Sequence, residues 1–260
     1  SLLLAGCRPD PEALYNRALN HIVEGEDEKA IAELQKAIEL RSDYEEAHSM
    51  LASVYRTQGR LEEAIAEYKE AIRLNPNKGS LHHSLGVVYE EQGKIEEAIA
   101  EWEEAVRLDP EYSDAWKDLG RVYYDQGRLE EAATALEKYL ELHPKDAEVH
   151  RNLGTVYGDL ERWAEAVAAY EEAISLDPDF GEAYGDLVSA YISIGEIEKA
   201  IEAGQKAIEL APDYATGHNN LGVAYAYQDR LEEAIAEWEK AIELDPNDPS
   251  PHNNLGRAYL

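Results

Sequence analysis

The sequence predicts an all-α solenoid of stacked helix-turn-helix repeats, and three observations predict it. The segment LEEAIAEYKEAIRLNP at 61–76 returns almost unchanged at 95–110 and at 231–246, at offsets that are multiples of 34. Within that period the apolar residues recur at helical spacing, on two separate stretches per repeat. Helix-ending residues, glycine after the first stretch and proline after the second, recur at fixed phase. An internal period of this length marks an architecture in which each unit buries its apolar face only against its neighbours.

Repeats starting at 11, 45, 79, 113, 147, 181, 215 and 249 need no insertion. They leave residues 1–10 as a leader, residues 11–260 as seven full repeats, and a truncated eighth repeat of 12 residues. Each repeat is numbered below in slots 1 to 34. Slots 4, 7, 8 and 11 line one face of a first helix, with leucine at slot 7 from Leu51 to Leu255 and tyrosine at slot 11 from Tyr55 to Tyr259. Gly59, Gly93, Gly127 and Gly195 stand at slot 15, where a left-handed residue ends that helix. Slots 17, 20, 24, 27 and 28 line one face of a second helix, with alanine at slot 20 in every full repeat, from Ala30 to Ala234. Proline at slot 32, from Pro76 to Pro246, ends it, because proline offers no donor and restricts the residue before it.

The fourth repeat reads Trp116-x2-Leu119-Gly120-x2-Tyr123, and the third carries Ala98-x3-Trp102 followed by Pro110. This pattern resembles the tetratricopeptide repeat (TPR) over residues 11–260. The resemblance implies a right-handed superhelix with a concave face that binds peptides, formed by slots 2, 5, 9, 12 and 13 with slot 6 beside them.

Three departures from the pattern carry expectations. Arg17, His21 and Ser42 replace the usual leucine, tyrosine and proline in the first repeat, as a polar terminal cap requires. Tyr139 with Leu136 in repeat four, and Val188 with Gly204 in repeat six, read as large-for-small exchanges that conserve core volume.

Composition narrows the function. With 24 basic and 55 acidic residues the formal net charge is −31, which disfavours nucleic acid and anionic membrane surfaces as partners. No apolar run approaches the ~20 residues of a membrane-spanning helix. One cysteine permits no internal disulfide and no cysteine-based zinc site. The sequence has no phosphate loop, H-E-x-x-H or calcium loop, so no catalytic residue, metal or cofactor is expected. Five histidines (His48, His82, His150, His218 and His252) occupy slot 4 and are expected in the core.

The leader contains Leu4-Ala5-Gly6-Cys7, which resembles the lipobox of bacterial lipoproteins. That resemblance implies lipidation at Cys7 and a lipid-anchored protein of the bacterial cell envelope. With Arg8 after the cysteine, it implies the outer membrane facing the periplasm in a diderm organism. The tether Arg8-Pro9-Asp10 reaches only about 10 Å, which would keep the first repeat near the headgroups. The leader reads as the remnant of a signal peptide. At the other end the eighth repeat lacks its second helix, so the chain is expected to be part of a longer protein.

Two groups on the implied concave face are candidates for holding protein or peptide segments. One is the basic cluster of Lys117, Arg121 and Arg151, with Tyr124 and Asn152 beside it. Asp114, Asp118 and Asp125 lie three or four residues from these bases and offer local ion pairs instead. The other is a run of asparagines: Asn16, Asn152, Asn220 and Asn254 at slot 6, doubled by Asn219 and Asn253 at slot 5. This resembles the asparagine ladder of O-linked N-acetylglucosamine transferase, where amides grip an extended backbone. The leading expectation is an interaction scaffold. The alternative is the substrate-recognition arm of a larger enzyme, such as a glycosyltransferase, with its catalytic domain beyond residue 260.

Overall fold

A computed structural model of the chain describes residues 10–259, which form fifteen helices and no strand among the described residues. They fall into two compact units, divided after Val122. In the first unit α1 (Pro11–Val23) pairs with α2 (Asp27–Leu40), α3 (Glu45–Thr57) with α4 (Leu61–Leu74), and α5 (Gly79–Glu91) with α6 (Ile95–Leu108). The second helix of each pair packs on the first helix of the next, α2 on α3 and α4 on α5. The division falls inside α7 (Ser113–Asp125).

The second unit continues the same order from α8 (Leu129–Leu142). There α9 (Ala147–Asp159) pairs with α10 (Trp163–Leu176), α11 (Gly181–Ser193) with α12 (Ile197–Leu210), and α13 (Ala215–Tyr227) with α14 (Leu231–Leu244). α15 (Pro249–Ala258) packs on α14. Every full first helix covers slots 1–13 and every second helix slots 17–30, so the 34-residue register of the sequence is the register of the fold. The chain is an all-α helical repeat solenoid.

The turn between the helices of a pair is built the same way each time. Slot 15 is left-handed in all seven full repeats: five glycines (Gly25, Gly59, Gly93, Gly127, Gly195), and Glu161 and Asp229, both at φ 58°. The slot-16 amide reaches back to the slot-11 carbonyl, as in Arg60 to Tyr55 at 2.9 Å, which satisfies a carbonyl at the helix end. Where slot 16 is basic, in repeats two to five and seven, it lies over the slot-11 ring, as Arg60 does over Tyr55 at 4.2 Å and Arg230 over Tyr225 at 4.3 Å. A side chain in the left-handed region carries a backbone cost that glycine avoids. Asp229→Gly and Glu161→Gly are therefore each expected to raise stability by about 0.5–1 kcal/mol. A urea midpoint unchanged or lowered in both variants would show that local contacts outweigh the backbone term.

Close approach within a pair depends on slots 8 and 24. A Cβ on Gly86 would lie 2.5 Å from Trp102 Nε1, one on Gly222 2.6 Å from Trp238 Nε1, and one on Gly154 2.7 Å from the Tyr170 ring. In these three repeats the aromatic ring at slot 24 lies so close that only glycine fits at slot 8, whereas Ala52 stands opposite Tyr68 in repeat two. Repeat six reverses the sizes: Val188 is fully buried, and a Cβ on Gly204 would meet Leu221 at 2.8 Å. This is the volume exchange expected from the sequence. In repeat four Tyr139 is buried and donates its hydroxyl to Asp146 at 2.9 Å. The first repeat is polar where the others are apolar, with Arg17 pairing with Glu33 and His21 with Glu26.

The slot-4 histidines depart from a uniform core. His48, His82 and His218 are buried, His150 is half-buried and His252 is exposed. All five place Nε2 against the slot-32 carbonyl six residues earlier, at 3.0–3.4 Å, and Trp116 donates its Nε1–H to Pro110 in the same way, at 3.0 Å. The slot favours histidine and tryptophan because a ring N–H there ties the first helix to the end of the preceding repeat.

Candidate functional site

The candidate residues lie on first helices, and the fold engages most of them with one another. In the first unit Arg121 donates to Glu90 at 2.6 Å and lies 3.6 Å from Asp118. Lys117 is half-buried on α7 and also has an interaction partner. Of the local acids, Asp118 pairs with Arg121, yet the shorter contact is to an acid 31 residues back on α5.

In the second unit Arg151 donates from Nε to Asp186 Oδ2 at 2.7 Å and from Nη2 to the Tyr214 hydroxyl at 3.3 Å. Tyr214 in turn donates to Asp186 Oδ1 at 2.6 Å, closing a three-membered network. Burial and the adjacent Asp186 charge hold the Tyr214 phenol well above its ordinary pKa. Tyr124 donates to Asp159 at 2.9 Å, and burial together with that carboxylate pushes its pKa up to about 12. Asn152 is exposed on α9.

The asparagines form a chain of amides. Asn254 donates to the Asn219 side-chain oxygen at 3.1 Å, Asn219 lies 3.4 Å from Asn220 Oδ1, and Asn220 donates to the Gly185 carbonyl at 3.1 Å. Trp238 also donates its ring N–H to the Asn219 backbone carbonyl, at 3.2 Å. Asn219 is 9% exposed, so its amide belongs to the packed interior of this face. Asn253 is exposed on α15.

A common register underlies these contacts. His83 with Asp118, Arg151 with Asp186 and Asn219 with Asn254 each join slot 5 of one repeat to slot 6 of the next, 35 residues on. Arg56 with Glu91 and Tyr124 with Asp159 join slot 12 to slot 13 with the same separation. Tyr214 joins this face from slot 34, outside that register; Asp186, His83 and the bond of Asp118 to His83 are the parts within it that slot-by-slot reading of the sequence missed. The signal that finds them is complementary chemistry one slot apart in successive repeats. Within each unit the arrangement presents a rigid, largely charge-compensated polar seam, and in the second unit Asn152 and Asn253 project from it.

The described residues include one group whose potential metal-ligand atoms come together, His21, Glu24 and Glu26, all within 4.8 Å of one another. Glu26 is already bonded to His21 and to Lys29, both at 2.7 Å, which accounts for the cluster as ion pairing. Cys7 lies outside the described residues.

The comparisons with known proteins agree with the repeat fold. Residues 45–255 match a family model described as the cilia and flagella-associated protein 70 C-terminal domain, and residues 23–56 match a TPR repeat model. No curated protein matches the chain. Among solved structures the chain is similar to the C-terminal part of a TPR repeat-containing protein from Cytophaga hutchinsonii, at 18% identity and a TM-score of 0.72, covering 93% of this chain and 99% of that one. It is similar to MamA at 29% identity and a TM-score of 0.58, covering 62% of this chain and 95% of that one. It is also similar to YrrB, a TPR protein with an unusual peptide-binding site, at 24% identity and a TM-score of 0.61, covering 72% and 96%. With a family match over residues 45–255, a 34-residue register kept through fifteen helices and a shared fold with these structures, the chain belongs to the tetratricopeptide-repeat family, whose members are generally non-catalytic scaffolds that bind proteins and peptides.

Proposed function

We propose that the chain is a lipid-anchored adaptor of the bacterial cell envelope that holds extended protein segments along the seam formed by slots 5, 6, 9 and 12. The observation that carries the binding half of this reading is the seam itself. Its side chains are locked by contacts 35 residues apart, as in Arg151 with Asp186 and Asn219 with Asn254, so a ligand meets groups that need little reordering. Exposed Asn152 and Asn253 carry amide donors and acceptors that suit an extended backbone. Because the cations of the seam are paired with acids, the affinity comes from shape and amide contacts more than from net charge. The anchoring half rests on the resemblance of Leu4-Ala5-Gly6-Cys7 to a lipobox. The alternative, the recognition arm of a larger enzyme, is disfavoured by the same lipobox resemblance. Asn220 and Asn254 donate to groups of the preceding repeat, which leaves Asn152 and Asn253 as the amides facing a ligand.

One experiment with two arms tests the reading. The purified chain is applied to an array of extended peptides drawn from envelope proteins, beside an Asn152→Ala, Asn253→Ala variant. A subset retained by the chain and weakened several-fold in the variant is expected, and equal retention overturns the seam as the binding surface. In bacteria producing the precursor, Cys7→Ser is expected to abolish palmitate incorporation and leave the full-length precursor uncleaved. Unchanged labelling overturns the anchor.

A further inference from the structure

The buried slot-4 histidines carry a second partner that the other repeats lack. His48 Nδ1 lies 2.6 Å from Glu67 Oε2, His82 Nδ1 2.7 Å from Glu101 Oε2, and His218 Nδ1 2.6 Å from Glu237 Oε2. The acid is at slot 23, on the second helix of the same repeat, in each case. In repeats four, five and six slot 4 holds Trp116, half-buried His150 and Tyr184, and slot 23 holds Ala135, Ala169 and Ala203. Buried histidine and slot-23 glutamate therefore occur together or not at all in repeats two to seven.

The geometry sets the protonation state. Nε2 faces a backbone carbonyl (Ser42, Pro76 or Pro212) at 3.1–3.4 Å, and a carbonyl can only accept, so Nε2 must carry a proton. Nδ1 sits within hydrogen-bond distance of a carboxylate, so it too carries a proton when that acid is ionised. The ring is then an imidazolium that ties three elements: its own first helix, the second helix of its repeat, and the end of the preceding repeat. Loss of one proton leaves a lone pair facing a carboxylate, or makes the ring abandon the carbonyl. Either way one tie is released. We propose that these three histidine–glutamate clasps are proton-operated ties that set how tightly repeats two, three and seven close.

The surrounding charges support the sign. Around His48 stand Glu67 and, further off, Glu70; around His82, Glu101 and Glu104; around His218, Glu237 and Lys240. The bond to Glu67 outweighs burial and holds His48 above its ordinary pKa, and the bond to Glu237 does the same for His218. A raised folded value means that the stabilisation is full below the unfolded value near 6.5 and is lost as pH rises through the folded value. The His48 and His218 ties close in acid and open in alkali. This inference does not depend on the adaptor reading.

The test is backbone hydrogen exchange of the whole chain at pH 6 and pH 8.5, corrected for intrinsic rates. Protection of α4 and α14 is expected to fall several-fold relative to α10 and α12, which face no such clasp. In a Glu67→Gln, Glu101→Gln, Glu237→Gln variant that difference should vanish, because a neutral amide can pair with a neutral ring. A uniform change across all second helices, or a difference that survives the substitutions, overturns the proposal. Nitrogen chemical shifts of the three rings in the unaltered chain report the protonation state independently. Doubly protonated His48 and His218 rings at pH 6.5 are expected, and rings neutral there overturn the proposal even if the variant does not fold.

Discussion

Trp102→Ala is expected to remove about 3–5 kcal/mol of stability, the largest loss from any single core truncation in the first unit. Trp102 is fully buried, its ring N–H donates to the His83 carbonyl at 3.1 Å, and its ring lies against Gly86 with no room for a Cβ between them. Truncation therefore removes apolar burial and a second donor to a helix carbonyl, and opens a cavity that glycine cannot fill. Because each repeat contacts only its neighbours, the loss should not spread evenly. Urea unfolding followed by circular dichroism should show an early step attributable to α3–α6, with the later transition near its original midpoint. A loss below about 1 kcal/mol would mean that the helices close over the gap. Repeat six suggests the rescue, since Val188 opposite Gly204 shows that volume can sit on either helix. Adding Gly86→Val to Trp102→Ala should recover part of the loss, whereas Gly86→Val alone should be destabilising by about 1–3 kcal/mol.

The same contrast between core and surface explains what the sequence made legible. Leu51, Leu85, Leu119 and Leu221 are at most 1% exposed, and each was placed by recurrence at slot 7 alone, because the packing of every repeat is nearly the same problem solved again. Left-handed Glu161 and Asp229 were hidden, since neither residue type announces that conformation, although their register with the slot-15 glycines was the available clue. The candidate face was harder to read. Polar side chains choose partners by rotamer and by the offset between successive repeats, and no helical periodicity encodes that offset. Arg121 therefore prefers Glu90 over the nearer-in-sequence Asp118, and Asn254 bonds to Asn219, so that a row of amides read as ligand-gripping bonds in part to itself. The histidines were placed at the right slot but not in a uniform environment. What distinguishes buried His48 from half-buried His150 is the residue at slot 23, on a different helix, Glu67 in one repeat and Ala169 in the other.

Asp186→Ala is expected to cost about 2 kcal/mol, below the 3–5 kcal/mol of a fully buried pair, because the Arg151 side chain keeps 27% of its exposure and water can replace part of the lost contact. Asp186 itself is 13% exposed and accepts from both Arg151 and Tyr214, so its removal strands a guanidinium and a phenol together. Two readouts separate this network from an ordinary surface pair. Thermal stabilities of Asp186→Ala, Arg151→Met and the double variant should show a coupling of at least about 1 kcal/mol, since removing both partners leaves no stranded charge. The Tyr214 phenol, held up by burial and by the Asp186 charge, should titrate at lower pH once that charge is gone, which ultraviolet absorbance measures. Additive stabilities together with an unmoved phenol would reduce the network to incidental contact. The coupling also bears on how binding data are read. Arg151→Glu would set a carboxylate against Asp186 and pry apart repeats five and six, so loss of a ligand in that variant would report a broken seam as readily as a missing cation. Asn152→Ala and Asn253→Ala, which remove exposed amides and leave the Arg151–Asp186–Tyr214 network intact, are the substitutions that isolate recognition from the architecture that positions it.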